Sequence, residues 1–146
     1  MTDRSRGRYS TLVERHQGTL FRYALGMVAD TAVARELVEQ AFVDAFEAVQ
    51  SGESLPRFDL RSLAILRRRC LRHLTSRGGE GSSRTPGSSP AGPLQEALNI
   101  LPDPEEREAF LLRHVERLSY RDMSIVVGAD QSEMKARVHR ARERLV

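Results

Sequence analysis

Residues 77–93 read RGGEGSSRTPGSSPAGP, and twelve of these seventeen are Gly, Ser or Pro. Such a stretch has too little apolar surface to offset the entropy lost on ordering it, so it reads as a flexible tether. The tether constrains everything else. A chain of 146 residues then holds two small modules, 9–76 and 94–146, rather than one ordinary domain. Aromatic residues are 5% of the chain and Trp is absent, so any core is aliphatic and modest.

The first module reads as three helices. From Tyr9 to Val28, apolar residues at Leu12, Val13, Leu20, Phe21, Ala24, Leu25 and Val28 follow the 3.6-residue period rather than strand alternation. Asp30 or Thr31 can cap the next helix. There Ala34, Leu37, Val38, Ala41, Phe42, Ala45, Phe46 and Val49 form a broad apolar stripe. The run SGESLPRFD at 51–59 breaks it with Gly52 and Pro56. Asp59 can cap a third helix to about Thr75, with Leu63, Leu66, Cys70 and Leu74 on one face. Each helix is too apolar on one side to stand alone, which predicts a three-helix bundle.

The second module has sharper punctuation. Pro93 opens a short helix over about 94–100. Asp103-Pro104-Glu105-Glu106 places a cap, a proline at the first helical position and an acid at the third. The helix it opens reads to about Glu116. Ser119-Tyr120-Arg121-Asp122 repeats the capping spacing and starts another short helix, which Gly128 can end in a left-handed conformation. Asp130-Gln131-Ser132-Glu133 starts the last helix. It carries Met134, Val138, Ala141 and Leu145 inward and Lys135, Arg137, Arg140, Arg142 and Arg144 outward. A short helix, a glycine turn and a basic helix make a helix-turn-helix. The fold class is all-α: two small helical domains on a flexible linker, the C-terminal one a helix-turn-helix.

The net charge is only +3, but it is unevenly spread. Residues 1–50 are net −1, residues 51–92 net +5 and residues 93–146 net −1. Five Arg and no acid fall within 60–73. Five Lys/Arg and three acids fall within 130–146, and the two basic patches point to two contacts with something anionic. At the C terminus, Gln131, Ser132 and Lys135 open the helix that a major groove would admit, with Arg137 and Arg140 following. On the third helix Arg61, Arg67, Arg68, Arg69 and Arg72 cover most of the circumference, and five buried unpaired guanidiniums would be prohibitive. A basic helix beside the 51–59 loop suits a single strand. Phe58 either stacks on a base or pins the loop to the bundle. Glu105, Glu106 and Glu108 are explained by helix starts and solvent exposure.

Catalysis finds no foothold. The four His and the lone Cys70 lack metal spacing, and no phosphate loop, GxSxG or HExxH occurs. No cofactor is expected. One Cys suggests a reducing compartment. The start MTDRSRGRYS lacks a signal's apolar segment, and no apolar run is long enough to span a bilayer. A cytoplasmic location without membrane insertion follows as an expectation.

With these residues in place, the chain resembles a bacterial sigma factor of the extracytoplasmic-function (ECF) type, within the sigma-70 family. ARELVEQAFVDAF at 34–46 is similar to that family's AEDLVQETFLRAW in region 2, and RFD at 57–59 matches a common start of its specificity segment. Residues 99–145 are similar to region 4, sharing the LSY start, the turn glycine and the HRARERL end. The resemblance implies a non-catalytic initiation subunit. Region 2 would dock on the beta-prime clamp helices of core RNA polymerase through Glu36, Leu37, Glu39, Gln40 and Val43. It would hold the −10 strand with Phe58, Arg61, Arg67, Arg68, Arg69 and the 51–59 loop. Region 4 would sit on the beta flap and read −35 DNA with Gln131, Ser132, Lys135, Arg137 and Arg140. Many members are held by an anti-sigma protein wedged between the two domains, and the tether would permit that.

This sequence departs from the pattern in places. Val33 and Arg35 stand where acids are usual, Phe46 replaces a common Trp, Arg69 stands where Asn is expected, and Glu133 adds an acid beside the recognition positions. These changes leave two rivals: a degenerate sigma-like DNA-binding regulator without productive polymerase docking, and a protein-interaction module that does not bind DNA.

Overall fold

The computed structural model describes residues 3–50, 57–76, 92–101 and 103–145. The tether calls at 77–91 and the 51–56 part of the loop lie outside the described residues. Among the described residues seven α-helices make up the fold: α1 (Asp3–Val28), α2 (Thr31–Gln50), α3 (Phe58–Ser76), α4 (Pro93–Ile100), α5 (Pro104–Phe110), α6 (Tyr120–Val127) and α7 (Gln131–Leu145). A π turn, Leu111–Val115, continues α5. Among the described residues no helix is long and apolar enough to cross a membrane.

Helices α1, α2 and α3 pack pairwise, as their stripes predict. Leu20, Tyr23, Ala24 and Met27 of α1 recur at helical spacing and are sealed from solvent. They meet Ala34 and Ala41 of α2 and Leu60, Leu63, Leu66 and Cys70 of α3 in one cluster with Leu37, Val38 and Phe42. Asp30, rather than Thr31, caps α2: its carboxylate accepts from Val33 N at 3.1 Å. The α3 start differs from the sequence expectation. Phe58 is already helical, and the Arg57 carbonyl accepts the first helical bond from Arg61 N. Asp59 therefore sits inside the first turn and pairs with Arg57 instead of serving as the cap residue.

The C-terminal punctuation holds. Asp103 accepts from Glu105 N at 2.9 Å, Ser119 from Asp122 N at 3.0 Å, and Asp130 from Glu133 N at 2.8 Å. Gly128 ends α6 at φ 83°. The π turn arises where Glu116 N reaches back to the Leu111 carbonyl, and Arg117, at φ 57°, then lets Leu118 N bond the Leu112 carbonyl.

The two halves are joined by more than the tether. A continuous apolar cluster runs from Leu20 and Tyr23 through Leu66 to Leu111, Leu112, Met123, Met134 and Val138. Helix α1 meets α5 and the π turn, while α3 meets α6. Gly26 permits a close approach: a Cβ there would lie 2.7 Å from a Leu111 methyl.

Candidate nucleic-acid interface

Helix α7 is aimed by the Gly128 turn and the Asp130 cap, so its first residues project at the surface. Gln131, Ser132 and Lys135 are all exposed. The Lys135 amine sits 5.6 Å from the Tyr120 ring centroid, and Arg113 covers the same ring at 4.4 Å. Tyr120 thus orders two cations beside the start of α7.

The other α7 cations are tied down. Arg137 does not point outward as expected. It is only 12% exposed, donates to Glu133 at 3.0 Å and lies 3.5 Å from Glu105. Arg140 is about half exposed and stands 3.5 Å from Glu133 and 4.0 Å from Glu106. Arg144 donates to Glu106, and Arg142 donates to His114 Nε2 at 2.9 Å. The acids of α5 were expected at the surface, but Glu106 is 3% and Glu108 1% exposed. Glu108 follows the apolar spacing of Leu111, Leu112 and Val115, and an acid interrupting such a stripe is the sequence signal for a buried carboxylate. Desolvation pushes its carboxyl above the usual range, against the opposing pull of Arg67.

On α3 the five arginines divide into two groups. Arg61, Arg68 and Arg72 are exposed and make no ion pair among the described residues. Arg69 forks onto Asp44 at 2.6 and 2.9 Å, and its third nitrogen donates to Gln40 at 2.8 Å. Arg67 is 18% exposed and donates at 2.6 Å to Glu108, across the junction between the halves. A cleft of about 540 Å³ opens between α3 and α6, with Arg61, Arg67, Arg68 and Asp44 facing Ile125, which is half exposed. The Phe58 ring lies between Phe46, 6.0 Å away and near parallel, and His16, 5.5 Å away. Phe58 thus packs on side chains of α1 and α2.

On α2, Glu36, Glu39 and Val43 are exposed, and Val43 is 54% accessible. Leu37 belongs to the core, and Gln40 is half buried against Arg69. An apolar groove, lined by Val13, Phe21, Val38 and Phe42 with Arg35 and Glu39 at its rim, runs beside them between α1 and α2.

Residues 12–80 match the family model described as Sigma-70 region 2, and residues 91–145 match Sigma-70, region 4. The chain belongs to the sigma-70 family. Region 2 therefore comprises α1–α3 and region 4 comprises α4–α7. This chain carries the two regions in that order. It is 27% identical over 94% of its length to the ECF RNA polymerase sigma factor SigE of Mycolicibacterium smegmatis. It spans 60% of that relative's length. The fold is similar to the sigma factor RpoE of Bartonella quintana, solved in complex with the anti-sigma factor NepR. The TM-score is 0.76, identity is 22%, and 94% of each chain is covered. It is also similar to CnrH, solved with the cytosolic domain of CnrY, at TM-score 0.65 and 21% identity over 94% of this chain and 84% of that one.

Proposed function

We propose that this chain is an alternative, non-catalytic sigma factor. It binds core RNA polymerase in the cytoplasm and directs initiation by reading −10 and −35 elements. The observation that carries the reading is the presence of the two regions in order, matched over 12–80 and 91–145. The geometry supports it residue by residue. Gln131, Ser132 and Lys135 are exposed at the start of a helix that fits a major groove. Arg61 and Arg68 stand free on α3, where a single-strand backbone would run. Arg137, Arg140 and Arg69 act first as struts that fix α7 and α2, and reach DNA only by giving up carboxylate partners. Glu36, Glu39 and Val43 offer a mixed acidic and apolar surface to the clamp helices, with Leu37 and Gln40 holding that surface from beneath. An anti-sigma protein is a fitting regulator, since the fold is similar to a sigma factor solved with one.

Binding of the labelled full chain to purified core RNA polymerase tests the reading. Saturable binding that an established sigma factor displaces is expected, with at least tenfold weaker binding for Glu39→Lys/Val43→Asp. No displaceable binding, with the same polymerase taking up the established factor, overturns it.

A further inference from the structure

Glu108 belongs to region 4, yet both its hydrogen-bond donors come from region 2. Tyr23 Oη and Arg67 Nε each donate to Oε2 at 2.6 Å. A carboxylate that is 1% exposed needs such partners, because burying it alone is prohibitive. The pairing therefore lasts only while the regions touch. Further contacts surround it. Arg22 donates twice to Glu116 at 3.0 Å, Arg107 donates to the Met27 carbonyl at 2.7 Å, and Leu111 fills the space over Gly26. Together they place region 4 over Arg67.

The joint also has an exit. Among the described residues, Glu108 Oε1 and Arg137 Nη1 are the buried side-chain polar atoms that make no hydrogen bond. The Arg137 charge already acts on Glu108. A Glu108 parted from Arg67 thus has a second guanidinium within its own region.

We infer that Glu108 is a latch: it holds the two regions closed with Arg67 covered, and on opening it passes from Arg67 to Arg137. The latch stands on geometry alone. Its consequence for DNA rests on the proposed reading of Arg67. In the closed state α3 binds a single strand without Arg67, and any partner that separates the regions uncovers a cation on α3. The same step gives Arg137 of the recognition helix a third carboxylate partner, which ties the states of the two regions together.

Single-molecule energy transfer on the full chain tests this, with one dye at Ala32→Cys and the other at Glu143→Cys, both exposed positions. Buried Cys70 does not compete for label. Glu108→Gln should raise the low-transfer, open fraction at least tenfold. Gly26→Val should do the same by wedging Leu111 away, without touching a charge, and circular dichroism checks that each variant folds. Adding Arg137→Gln to Gly26→Val should lower the open fraction at least threefold. Binding of a twenty-residue oligo-dT strand at low salt should tighten at least fivefold in Gly26→Val, and Arg67→Gln should cancel that gain. Unchanged transfer in both Glu108→Gln and Gly26→Val overturns the latch. Opening without tighter strand binding overturns the covering of Arg67. An open fraction indifferent to Arg137→Gln overturns the transfer. A wild-type chain that ignores core polymerase sinks the sigma reading, and the transfer efficiencies still decide the latch.

Discussion

Lys135 and Arg137 lie two residues apart on α7, yet their alanine variants should fail in opposite ways. Lys135 is exposed and, among the described residues, its amine meets the Tyr120 face, so Lys135→Ala should leave stability within about 0.5 kcal/mol of wild type. On DNA its loss should cost about 1–3 kcal/mol if it reads a base edge. If it contacts a phosphate instead, the slope of log affinity against log salt should fall by about 0.9. Arg137 is 12% exposed and clamps α7 to α5 through Glu133 and Glu105. A charge-assisted bond to a buried group is worth about 1.5–3 kcal/mol. These acids are 43% and 54% exposed, which draws the value toward that of a surface pair, so about 1–2 kcal/mol is expected. For a chain of this length that lowers the melting temperature by roughly 3–6 °C. Thermal melts followed by circular dichroism, with anisotropy on duplex DNA at several salt concentrations, separate the two. An Arg137→Ala variant that melts with wild type and loses about one unit of salt slope refutes the reasoning, because its guanidinium would then lie on the DNA.

Three further outcomes follow from the same structure. Gly128→Ala should lose about 1–2 kcal/mol by denaturant titration, because φ 83° strains any residue with a Cβ while the space around it is open. Burial lowers the His16 imidazole below its ordinary 6.5, with Asp59 opposing and Arg15 assisting, and burial lowers His114 likewise, with Arg142 and Arg113 assisting. Their neutral forms favour the folded chain, so the stability they contribute is complete above about 6.5 and falls as pH drops through the lowered values. A His16→Asn/His114→Asn variant should therefore show a smaller decline in melting temperature between about pH 7.5 and 5.5. Cys70 is buried with its thiol pushed up to about 12 by desolvation first and the Glu108 charge second. A thiol reagent at about pH 8 should react with it only at the rate at which denaturant exposes it.

The sequence announces its local features well. Asp103, Ser119, Gly128 and Asp130 act within a few residues of themselves, and composition alone displays them. The apolar stripes of α1, α2 and α3 are equally legible, because periodicity needs no partner. Long-range pairing is not. Arg67 reads as a free cation until Glu108, 41 residues away, is folded against it, and Arg69 until Asp44 closes on it from α2. Arg137 is partly legible: it lies three residues after Met134 and four before Ala141, on the flank of the inward face, and only its charge argues for the outside. The Asp59 misreading has a different cause. The helix starts at Phe58, one residue before the acid, with the Arg57 carbonyl accepting from Arg61 N, and the Asp59 carboxylate pairs with the Arg57 guanidinium. The π turn carries no turn residue to signal it. It follows from Glu116 reaching the Leu111 carbonyl while Leu111 and Leu112 stay in the core.

Transcription in vitro from a library of double-stranded promoters, with core RNA polymerase and the purified full chain, tests the central claim most directly. The account predicts discrete start sites that appear only when this chain is present, with upstream sequences whose −35 preference changes in Lys135→Ala. Core polymerase that initiates with an established sigma factor but gives no chain-dependent start site would contradict it.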